Sequence, residues 1–85
     1  MNTEQANTRF GEALRRRRKS LGLSQLQACD LAGVGPAFLY ELEHGKATVR
    51  LDKVLAVLGV LGMGLELRES REVLSVQAAT GGAAG

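Results

Sequence analysis

Residues 23–46 read LSQLQACDLAGVGPAFLYELEHGK, and the fold turns on how this stretch is divided. Ser24 followed three residues later by Gln27 has the form of a capping box, in which the serine hydroxyl and the glutamine amide oxygen each satisfy a backbone N–H. Ala28, Cys29, Leu31 and Ala32 supply a small apolar side and Gly33 is the natural stop, which predicts a helix of about nine residues. After the turn Gly33–Val34–Gly35, Pro36 stands at a first helical position, where its missing N–H costs nothing. The helix it opens turns Leu39 and Leu42 to one side, flanked by Phe38 and Glu43. Ala37, Tyr40, Glu41 and His44 turn to the opposite side, and Gly45 closes the helix.

On the N-terminal side, Met1 to Asn7 is polar and reads as a flexible lead-in. A helical pattern starts at Thr8, with Phe10, Ala13, Leu14 and Leu21 on one side, Arg17 and Arg18 flanking them, and Gly22 as the cap. On the C-terminal side, the loop KATVR leads to a fourth helix near Leu51. Asp52 in its first turn suits the positive end of the helix dipole. Its expected core stripe is Leu51, Val54, Leu55, Leu58 and Leu61. Residues 63–68, MGLELR, then change period: Met63, Leu65 and Leu67 alternate with Gly64, Glu66 and Arg68, as in a strand with one buried face. A lone strand leaves its backbone groups unpaired. The simplest partner is its own copy across a two-fold axis, with Glu66 of one chain opposite Arg68 of the other near Leu67. Residues 70–85 read as a flexible tail, which leaves 8–69 as the folded unit.

The chain has 85 residues, 45% of them hydrophobic and 24% charged, which is the composition of one small globular domain. A single cysteine excludes an intrachain disulfide framework, and Cys29 reads as a buried small hydrophobe rather than a redox switch. The apolar run at 54–65 is short and glycine-broken, unlike a membrane span, and MNTEQANTRF lacks the apolar core of a signal peptide. The expected location is the cytoplasm, at the nucleoid. Net charge is only +2, yet residues 9–24 hold six bases and one acid. That lopsidedness suits a face meant for a polyanion, although a solvated helix surface accounts for it as well. Five consecutive bases at 15–19 wrap right round a helix, so at most a few can share a partner.

Two short helices joined by a tight glycine turn, the second with an exposed face, have the shape of a helix-turn-helix. The stretch RKSLGLSQLQACDLAGVGPAFLYELEHGK resembles the family of the lambdoid phage repressors and Cro proteins, in LSQ opening the second helix, AGV at the turn and ELEHGK ending the third. The segment GKATVRLDKVLAVLGVLGMGLEL is similar to the HipB-type antitoxins of the same Xre/Cro family, whose four helices are followed by a strand that pairs between subunits. The resemblance covers about residues 9–68. It implies an all-α, lambda-repressor-like domain of four helices plus a C-terminal β-strand pairing across a homodimer.

The resemblance also implies roles. Arg18 and Glu43 match a structural ion pair between the first helix and the end of the third. Ser24 and Gln25 match residues that clamp a DNA phosphate, capping being the other duty of Ser24. Lys46, Thr48 and Arg50 match a loop that meets phosphates, and His44 lies near the backbone or is a plain surface histidine. Pro36, Ala37, Tyr40 and Glu41 occupy the positions that face the major groove. Pro36 and Ala37 offer apolar contact, and Glu41 can accept from a cytosine amino group. This chain departs from the family in lacking amides or arginines on that face, in Ala28 where a large aliphatic residue is usual, and in Leu26 where a polar one is.

The expected function is a dimeric repressor of double-stranded operator DNA that also neutralises a HipA-like toxin kinase. A stand-alone regulator is the alternative, and so is an interaction module that has lost DNA binding. No enzyme is expected, because Glu41 and His44 lie three apart on an exposed helix with no pocket and no third partner, and no cofactor or metal is expected either.

Overall fold

The computed structural model describes residues 2–69, and its helices are α1 (Thr3–Ser20), α2 (Gln25–Ala32), α3 (Pro36–Glu43) and α4 (Leu51–Val60). Among the described residues the four helices expected from the sequence are formed. α1 begins five residues earlier than its apolar pattern suggested, so most of the expected flexible lead-in is helix. The cause is a second capping box: the Asn2 side chain accepts from the Gln5 N–H at 2.8 Å, and the Gln5 amide oxygen accepts from the Asn2 N–H at 3.2 Å. Ser24 and Gln27 cap α2 in the same reciprocal way, at 3.0 and 2.8 Å. Pro36 opens α3 as expected, after an N-cap at Gly35 that makes no side-chain bond.

Leu14, Ala28, Cys29, Leu39, Leu42, Val54, Val57, Leu58 and Leu61 form one core drawn from all four helices. Phe10, Leu23, Ala32, Val34, Phe38 and Met63 pack around it. α1 crosses α3 closely at Gly11, where a Cβ would stand 2.5 Å from the carbonyl oxygens of both Leu42 and Glu43. Only glycine fits there. Gly33, between α2 and α3, takes left-handed backbone at φ +71, which lets the chain turn sharply into the next helix.

The core stripes differ from expectation in register. On α4 the buried set is Val54, Val57 and Leu58, continued by Leu61, while Leu51 and Leu55 are exposed. α4 is apolar nearly all round, so a stripe rotated by about one residue fits the 3.6 period almost as well. Leu21 and Leu31 are likewise exposed.

Met63 donates its N–H to the Leu58 carbonyl at 2.9 Å and ends α4. Residues 63–69 then run without regular secondary structure, so the expected strand at 63–68 is not formed within the described residues. A strand needs ladder partners, and a single copy of this segment has none to offer. Leu65 is half-exposed and Leu67 almost wholly so, at 97%. The expected tail, 70–85, lies outside the described residues.

Candidate nucleic-acid interface

α2 and α3 are held to α1 by one buried ion pair. The Arg18 Nε donates to Glu43 Oε2 at 2.6 Å, its second guanidinium nitrogen donates to Oε1 at 3.0 Å, and the third donates to the Leu23 carbonyl at 2.8 Å. The Gln25 amide nitrogen adds a bond to Glu43 Oε1 at 3.1 Å. Three helices therefore meet at one carboxylate, α1 through Arg18, α2 through Gln25 and α3 through Glu43 itself, and the turn after α1 is tied to the same guanidinium. Fork geometry lets arginine do this where lysine would not. Hydrogen bonding to Glu43 raises the Arg18 pKa against the opposing effect of burial. For Glu43, burial pushes upward, but the bonds from Arg18 and Gln25 and the Arg18 charge outweigh it and hold the carboxyl below its ordinary value.

With the inner side fixed, α3 presents Pro36, Ala37 and Tyr40 to solvent, and Glu41 stands partly exposed beside them. Four of the polar side chains around this face, Glu41, His44, Lys46 and Arg50, already have partners. The Glu41 carboxylate meets Lys46 Nζ at 2.8 Å. The His44 ring stacks on Tyr40 with centroids 4.1 Å apart, and its Nδ1 lies 2.7 Å from the Tyr40 carbonyl. A carbonyl only accepts, so Nδ1 is the donor in this bond. Arg50 makes a two-point contact with Asp52, at 2.6 and 3.1 Å. The Arg50 hydrogen bond, foremost, holds Asp52 below its usual range. Thr48 is exposed in the loop between these two pairs.

Ser24 stands at the N-terminus of α2 with its hydroxyl engaged by the Gln27 N–H, and Gln25 follows with one amide N–H on Glu43. The second amide N–H of Gln25 is left for another acceptor. The charge at 15–19 divides as helix geometry dictates. Arg18 turns inward, while the Arg17 Nε donates to the Leu61 carbonyl at 2.9 Å and closes the end of α4. That role of Arg17 had no signal in a run of five bases. Nor did the Glu41–Lys46 pair, which forms across the end of a helix.

Cys29 is buried, and burial before anything else pushes its thiol pKa up. It is therefore inert packing rather than a reactive thiolate. Among the described residues no three of His, Cys, Asp and Glu gather as a metal site would need, and no helix is long and apolar enough to cross a membrane.

Against known proteins, residues 9–72 match the model of a family described as "Helix-turn-helix domain". The chain is also 40% identical over 58 residues to the "Uncharacterized HTH-type transcriptional regulator y4mF" of Sinorhizobium fredii, an alignment spanning 68% of this chain and 76% of that protein. With α2, the glycine turn and α3 in place and three-quarters of its length matched, the chain belongs to the helix-turn-helix domain family.

Proposed function

We propose that the chain is a DNA-binding transcriptional regulator that sets α3 in the major groove. The observation that carries this reading is the outward face of α3. Pro36, Ala37, Tyr40 and Glu41 stand toward solvent on the second helix of a helix-turn-helix whose inner side is pinned by Arg18 and Glu43. In this reading Pro36 and Ala37 touch thymine methyls, Glu41 accepts from cytosine, and Tyr40 meets a phosphate or sugar. Ser24, Gln25, His44, Lys46, Thr48 and Arg50 take the phosphates that fix register. For Lys46 and Arg50 this means sharing or exchanging their present carboxylate partners.

So sparse a face needs help, and a homodimer supplies it through half-site spacing and DNA deformability. The proposed dimer pairs Met63, Leu65, Glu66, Leu67 and Arg68 with their counterparts in a two-stranded antiparallel sheet. Support comes from the exposed Leu65 and Leu67, and from the apolar groove that Leu65 lines together with Phe10, Val49, Leu51 and Val54. The similarity of residues 45–67 to HipB-type antitoxins extends the proposal to autoregulation of a toxin–antitoxin operon and neutralisation of a HipA-like kinase.

The test is a mobility shift on DNA from upstream of the protein's own coding sequence, across a salt series, against a scrambled duplex. Selective binding that weakens steeply with salt is expected. No binding to either duplex at low salt refutes DNA recognition. Sedimentation of the wild type and of Leu67→Asp tests the dimer. Co-purification with a HipA-like kinase encoded alongside tests the antitoxin role.

A further inference from the structure

Glu41 is the exposed acid of α3, and on a face turned to DNA an unpaired carboxylate is repelled by the phosphates. Lys46 answers it, and the backbone arranges the meeting. Gly45 takes left-handed backbone at φ +83. Its N–H donates to the Leu42 carbonyl at 3.1 Å, and the Lys46 N–H donates to the Glu41 carbonyl at 3.0 Å. This pair of bonds is the Schellman ending of a helix, and it folds the residue after the glycine back over the last turn. The Lys46 ammonium thereby reaches the Glu41 carboxylate at 2.8 Å. Competing partners are occupied elsewhere: His44 is stacked on Tyr40, and Arg50 is held by Asp52. The two side chains are 46% and 44% exposed, so the contact adds little to folding stability.

We propose that Lys46 is a positioning residue for base specificity, holding Glu41 on the reading face as the acceptor for a cytosine amino group and cancelling its charge toward the flanking phosphates. This rests on the major-groove reading of α3. Cytosine is the base whose major-groove edge offers an amino donor without a neighbouring acceptor; the amino group of adenine stands beside N7, which a carboxylate cannot match. An ammonium has three N–H donors, so one on Glu41 leaves two for a phosphate. Acid and base work as a unit: Glu41 reads and Lys46 makes the reading tolerable.

The experiment uses the full chain and a duplex selected by the wild type from a randomised pool, together with its single-base-pair variants. Affinities are measured by fluorescence anisotropy for the wild type, Glu41→Gln, Lys46→Met, Lys46→Arg and the Glu41→Gln/Lys46→Met double variant, each first checked for an unchanged helical spectrum. The wild type is expected to prefer cytosine at one position per half-site by about fivefold or more. Lys46→Met should lose that preference along with affinity, Lys46→Arg should keep both, and Glu41→Gln should restore affinity in the Lys46→Met background. If Lys46→Met weakens every duplex equally, retains the cytosine preference and combines additively with Glu41→Gln, Lys46 is a phosphate contact alone and the proposal is overturned. If the wild type selects no duplex at all, the DNA reading itself falls and takes this proposal with it.

Discussion

Arg18→Met removes the positive half of the buried pair while keeping most of the apolar length of the side chain. Two bonds to Glu43 and one to the Leu23 carbonyl disappear, at 2.6, 3.0 and 2.8 Å. The Glu43 side chain is only 1% exposed and that of Arg18 8%, so the carboxylate left behind cannot recover its hydration. Breaking such a pair from one side costs about 3–5 kcal/mol, against less than about 1 kcal/mol for a pair at the surface. A small domain holds about 5–15 kcal/mol in all, so this single change threatens the fold. The double replacement Arg18→Met/Glu43→Leu removes both charges and should regain a large part of the loss. It leaves the Leu23 carbonyl and the Gln25 amide to seek water, which limits the recovery. Urea unfolding followed by far-ultraviolet circular dichroism measures both variants and, with Glu43→Leu alone, closes a double-mutant cycle. A loss below about 1 kcal/mol for Arg18→Met, or a double variant as unstable as the two single losses added, would refute the view that this pair is the structural lock of the helix-turn-helix.

Gly11→Ala forces a methyl to within 2.5 Å of the Leu42 and Glu43 carbonyls and should cost about 1–3 kcal/mol, read as a fall in Tm, because backbone rather than a flexible side chain must yield. Ser24→Ala removes the cap of α2 and should cost about 1 kcal/mol in the same melts. Because the folded-state pKa of Glu43 is depressed, the unfolded chain binds more protons just below the ordinary glutamate value of about 4.3, so stability is full above that pH and falls as the pH drops toward the lower folded-state value. Urea midpoints taken from neutral pH down to about pH 3 should show this acid loss, and Glu43→Gln should flatten it.

The parts of the fold legible in sequence are those decided by local chemistry. Ser24 with Gln27, Gly33 and Pro36 each act within a turn of their own position, and α2 and α3 begin and end where those residues say. The start of α1 was legible too, in Asn2 and Gln5, but the polar composition around them masked a capping box that precedes no apolar run. α4 failed differently: Leu51, Leu55 and Val57 are equally apolar, and which of them faces inward is set by packing against α2, not by period. At the candidate interface, the exposed face of α3 followed from its helical spacing. The partners of its polar groups did not, because Glu41 meets Lys46 through a helix ending and Arg50 meets Asp52 across the start of the next helix. Arg17 on the Leu61 carbonyl is a contact between residues 44 apart, which only the folded chain reveals.

The most direct test of the central claim, that the outward face of α3 is the DNA reader, is an amide NMR titration of the full chain with its selected duplex. The largest shifts are expected at Ser24 and Gln25, at Ala37, Tyr40 and Glu41, and through His44 to Arg50, while the outer side of α1 at Glu12 and Arg16 stays still. Shifts confined to Arg9, Glu12 and Arg16, with α3 unmoved, would contradict it and assign the DNA to the basic first helix.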